Sequence, residues 1–125
     1  MDDLLKNERF VAAYDRLRRV SLNPRRHTAA DARAHSDAVA QMAARLALAN
    51  GCSDAEIALL TNLGYAHDIG KLIGTARPAR SLDVLADCGV TDQVLLGLVT
   101  WHDTSLPWHR SALRGEAPSA KAWRR

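Results

Sequence analysis

Residues 53–71 read SDAEIALLTNLGYAHDIGK, and the helical character of the chain is plainest here. Ser53 followed three residues later by Glu56 is a capping box, which predicts a helix over 54–68. Ile57, Leu60, Gly64 and His67 recur at helical spacing and make one stripe. A histidine therefore shares the face that the core-forming residues use. Asp68 follows it directly. Successive helical residues point about 100° apart, so both reach one point only where the helix ends or distorts. Gly70 supplies such an end, and Gly74 breaks the chain again.

The segments on either side extend the helical pattern. Phe10, Tyr14 and Leu17 give one apolar face to a helix expected over residues 3–19, which Asn23-Pro24 terminates or follows. Thr28 reads as the N-cap of a second helix running to about Ala49. Val39, Met42 and Leu46 form its stripe, and Asn50-Gly51 stops it. Past a loop containing Pro78, Ser81 is expected to cap a short fourth helix that stops at Gly89. Thr91 is expected to cap a fifth over 92–102, with Leu95, Leu98, Val99 and His102 on one side. Ser119 then reads as an N-cap, but the chain ends at Arg125 before an apolar stripe develops. The expectation is an all-α, single-domain bundle of five to six helices over residues 1–125, lacking its C-terminal helices.

Composition agrees with this class. The 125 residues are 47% apolar and 25% charged, as in globular proteins rather than disordered, collagenous or disulfide-dense ones. Alanine, a helix former, occurs 22 times, while only Phe10, two Tyr and three Trp are aromatic. The net charge of +3, with 14 Arg among 17 basic residues, is too small to argue a nucleic-acid binder, and it suits an anionic substrate. Arg16, Arg18, Arg19, Arg25 and Arg26 cluster; they either meet a phosphate backbone or form a solvated helix face. Trp101, Trp108 and Trp123 either stack on a base or pack the end of the bundle. Two cysteines without a CxxC motif, an N-terminus without an apolar core segment and the absence of a long apolar run together predict a reduced, cytoplasmic protein without a membrane span.

The chemistry rests on histidines. His35 lies four residues before Val39, so the stripe of the second helix carries it inward, as the third carries His67 and the fifth His102. Three histidines from three helices, with Asp68 beside one of them, can converge on a metal ion. Each alone is more often a hydrogen-bonded core residue than a ligand. His109 reads as a surface residue, and His27 as either a pocket-mouth or an ordinary loop residue.

The pentapeptide His67-Asp68-Ile69-Gly70-Lys71, with an inward His35 one helix earlier, resembles the HD-domain superfamily of metal-dependent phosphohydrolases. Asn23-Pro24-Arg25-Arg26-His27, eight residues ahead of His35, and Val99-Thr100-Trp101-His102-Asp103 with Pro107 are similar to HD domains found with tRNA nucleotidyltransferases. The likeness covers roughly residues 20–110. It implies an all-helical fold and a divalent cation (Mn, Fe, Ni, Co, Zn or Mg) held by His35, His67 and Asp68, with His102 on a second metal or on phosphate. It implies that Asp68 orients the attacking water and that Lys71 stabilises phosphoryl charge, with His27 at the pocket mouth. The substrate class implied is a nucleotide or other phosphate mono- or diester; RNA is the less supported partner. The family's last Asp ligand lies downstream of the final His segment, whereas no Asp follows Asp103 here. The alternative implied is therefore a catalytically silent nucleotide- or RNA-binding module with an incomplete metal site.

Overall fold

The computed structural model describes residues 3–25, 29–74 and 78–101. Among these the chain is all-helical: α1 Glu8–Arg16, α2 Ala32–Ala49, α3 Asp54–Ala66, α4 Pro78–Asp87 and α5 Gln93–Trp101. Short 3-10 turns occupy Leu4–Lys6, Leu17–Arg19 and Ile69–Ile73. A single antiparallel bridge, Ser21 to Asp31, closes the loop ahead of α2.

The first predicted helix is broken where Asn7 turns extended. Its Oδ1 accepts from the Phe10 N–H (3.0 Å), capping α1, and its Nδ2 donates to the Cys88 carbonyl (3.0 Å). A short amide side chain bonding the backbone in this way competes with helix continuation. The expected face survives the break. Phe10, Tyr14 and Leu17 are wholly buried, each contributing about 1.5–3 kcal/mol of transfer free energy. They join Ile69, Leu85, Leu95 and Val99 in one core.

The expected stripe of α2 is corrected. Met42 and Leu46 are more than half exposed, while Ala32, Ser36, Ala40 and Ala47 face inward. The cause is close helix packing. A Cβ added at Gly64 of α3 would stand 2.5 Å from the Ala40 Cα. Only small residues fit such a contact, so the large apolar side chains of α2 are turned away from it. Asp31, accepting from the Ala34 N–H at 2.8 Å, caps this helix; Thr28 lies outside the described residues.

The capping box of α3 forms as expected, with Ser53 N–H to Glu56 at 2.8 Å and Glu56 N–H to Ser53 Oγ at 3.1 Å. Gly51, at φ +72°, follows α2 in the left-handed conformation that favours glycine. Two further caps are corrected. Asp92 rather than Thr91 accepts from the Leu95 N–H (2.9 Å) at the start of α5. Ser81 lies inside α4 and is fully buried. The expected sixth helix lies outside the described residues.

Candidate metal centre

α2 and α3 pack along their length, and the Ala40–Gly64 contact sets their separation. His35 projects from the first turn of α2. At the other side of the site α3 stops at Ala66, two residues earlier than the spacing predicts. His67 is its C-cap, still helical, but Asp68 has left helical geometry (φ −111°, ψ 12°) and opens the 3-10 turn. That departure lets two adjacent side chains turn to one point.

The convergence is tight. Asp68 Oδ2 lies 3.2 Å from His67 Nε2 and 3.6 Å from His35 Nε2. One donor atom from each of the three residues lies within 4.8 Å of the others. Asp68 is buried, and the two imidazoles are mostly covered. Donors about 2.1 Å from a first-row ion stand about 3–3.4 Å apart; the His67–Asp68 separation falls in that range, and the His35–Asp68 separation is slightly longer.

The hydrogen bond behind His67 strengthens that fit. His67 Nδ1 lies 2.7 Å from the Gly64 carbonyl oxygen. A carbonyl only accepts, so Nδ1 carries the proton. Nε2 then either bears a second proton toward Asp68 or offers its lone pair to a cation. Metal-binding histidines are commonly oriented by a carbonyl in this way.

Electrostatics match. Burial opposes the Asp68 charge, but hydrogen bonds and charges from His67 and Lys71 outweigh it and hold the carboxyl well below its usual range. Burial likewise pulls the His67 imidazole down, and the Asp68 carboxylate pushes it up by more, for a net rise. Asp68 is thus an anion at neutral pH, as a ligand must be.

Other residues hold the ligands. The buried Ser81 hydroxyl donates to the His67 carbonyl (3.1 Å) and accepts from the Gly70 N–H (3.0 Å). A Cβ at Gly70 would meet the Ser81 nitrogen at 2.5 Å, which is why a glycine follows the ligand pair. On α2, Arg33 and Asp37 flank His35. The Tyr14 hydroxyl donates to Asp37 at 2.7 Å, and the Arg33 guanidinium lies 4.4 Å from the Tyr14 ring while pairing with Asp15 and Asp37. This strap ties the ligand-bearing turn to α1. Burial and the Asp37 carboxylate push the Tyr14 phenol far up, so it stays a donor. Sequence reading missed the parts played by Ser81, Arg33, Asp37 and Tyr14. Arg33 and Asp37 at i, i+4 were the available signal.

The structure therefore brings together His35, His67, Asp68 and Lys71. The Lys71 Nζ lies 3.2 Å from Asp68 Oδ2. His27, His102, Asp103 and His109 lie outside the described residues. Arg16, Arg18, Arg19 and Arg25 are exposed, as a solvated face would be. Cys52 and Cys88 are free. Among the described residues no helix is long and apolar enough to cross a membrane. Compared with family models, with curated proteins and with solved structures, the chain finds no match.

Proposed function

We propose that this chain is an HD-type metal-dependent phosphohydrolase acting on a nucleotide or similar phosphate mono- or diester. The observation that carries the reading is the convergence of His35 Nε2, His67 Nε2 and Asp68 Oδ2, with His67 held in the metal-binding tautomer by Gly64. Two imidazoles and one carboxylate suit Mn, Fe, Co, Ni or Zn better than Mg, which prefers an all-oxygen shell. When bound, a divalent cation acidifies water and neutralises charge on a phosphoryl oxygen. His35, His67 and Asp68 would hold the cation, and the Asp68 carboxylate would orient the attacking water. Lys71 supplies a point charge to the phosphoryl oxygens. His102 and His27 enter as phosphate contacts through the sequence resemblance alone.

Elemental mass spectrometry of the purified chain and of Asp68→Ala tests the reading. Near-stoichiometric metal in the parent and none in the variant is expected, followed by turnover in a phosphate-ester screen with that ion. Absence of metal after incubation with Mn²⁺, Fe²⁺, Ni²⁺ and Zn²⁺ would sink it. A silent nucleotide- or RNA-binding module would instead show as a loaded protein that binds nucleotide without turnover.

A further inference from the structure

The Lys71 ammonium occupies a position that the metal reading leaves unexplained. Its nitrogen is 3.2 Å from Asp68 Oδ2, the same oxygen that faces His67 at 3.2 Å and His35 at 3.6 Å. A carboxylate oxygen offers about two lone-pair directions, and three nitrogens already crowd this one. A cation bonded to that oxygen needs one of those directions. It would also stand within a few ångströms of a like charge in a mostly buried site, where repulsion is poorly screened. The two imidazoles adapt, since a neutral ring offers a nitrogen lone pair to a metal. Lys71 has no lone pair to offer while charged, so it must leave. Its backbone is pinned, with its N–H bonded to the Asp68 carbonyl at 3.0 Å. The four-carbon stem is free to swing only within an arc around the site. Displaced, the ammonium stays at the rim, 19% exposed at present, where an anion on the open side of the cation would meet it.

We propose that Lys71 and a metal ion exclude one another at Asp68, so that metal binding releases the Lys71 ammonium and thereby creates the phosphate position. The inference rests on the metal reading above and adds an order to it. The cation enters first, the anion second, and the empty site refuses phosphate because the Lys71 ammonium beside it is already neutralised by Asp68. The lysine also weakens metal binding, since the ion must break a formed ion pair.

Calorimetric titration of the full chain with MnCl₂ and with inorganic phosphate tests this, comparing the parent, Lys71→Met and Asp68→Asn, each checked for folding by circular dichroism. Lys71→Met is expected to bind Mn²⁺ about tenfold more tightly and, once loaded, to bind phosphate about tenfold more weakly than the loaded parent. Without Mn²⁺ the parent and Lys71→Met should bind phosphate equally poorly. Asp68→Asn, which frees the ammonium with no metal, should bind it better than the unloaded parent. If Lys71→Met is unfolded, Lys71→Gln takes its place. Equal Mn²⁺ affinity in parent and variant overturns the exclusion while leaving the metal reading standing. A Lys71 contribution to phosphate binding of the same size with and without Mn²⁺ also overturns it, since the lysine is then simply a positive neighbour. No Mn²⁺ binding to parent or variant overturns both.

Discussion

Replacing Gly64 with Ala sets two principles against each other, and the structure says which wins. Helix propensity favours alanine in the interior of α3 by about 1 kcal/mol. The new Cβ, however, would lie 2.5 Å from the Ala40 Cα, 2.7 Å from its nitrogen and 2.9 Å from its Cβ. None of these atoms is the end of a flexible side chain. Carbon atoms rest at about 3.5–4 Å, so α2 and α3 must part by about 1 Å. Overpacking of this kind costs about 3 kcal/mol, for a net loss of about 2 kcal/mol. At about 4 °C per kcal/mol for a chain of this size, the melting temperature should fall by about 8 °C. Because the Gly64 carbonyl orients His67 and α2 carries His35, affinity for Mn²⁺ should fall with it. Thermal melts by circular dichroism and a metal titration read both quantities. A Gly64→Ala protein that melts at or above the parent temperature would mean that propensity dominates, and the close helix contact would be refuted.

Tyr14→Phe removes the donor to Asp37; since Asp37 is partly exposed and keeps Arg33, urea unfolding should register a loss of about 1 kcal/mol with an unchanged slope. The pH dependence of the metal-free protein has two limbs of opposite sign. The raised value at His67 contributes stability that is complete below pH about 6.5 and lost as pH rises through the folded value, so the urea midpoint should decline on the alkaline side and His67→Asn should remove that decline. The lowered value at Asp68 contributes stability present above pH about 4 and lost as pH falls through its folded value, a limb that Asp68→Asn should flatten.

One helix start and one helix stop were legible from a local group. Ser53 with Glu56 and Asn50-Gly51 behave as their chemistry demands. The pairing of His67 with Asp68 at a helix end was also legible, because Gly70 marks the end. What local pattern could not reveal was α2's inward face. Large apolar residues advertise burial, yet Met42 and Leu46 are exposed, since the distance to α3 admits only alanine, serine and glycine. His35 reaches the site even so: it shares its side of α2 with Val39, which is half-buried, near the start of that side, and its Nε2 lies 3.6 Å from Asp68 Oδ2. Ser81 read as a cap because serine usually is one. Its burial depends on the 3-10 turn packing against α4, a contact between elements that short-range spacing does not encode.

That same serine ties the integrity of the ligand pair to a helix that contributes no ligand. Its hydroxyl closes a ring through the His67 carbonyl and the Gly70 amide, so the turn bearing His67 and Asp68 is complete only while α4 is docked. Proteins open in cooperative pieces, each with its own free energy. Undocking of α4 would loosen the ligand turn without global unfolding, and ion exchange at the site would then follow the opening rate of α4. A bound ion, by favouring the closed turn, would in return protect the amides of a helix it never touches.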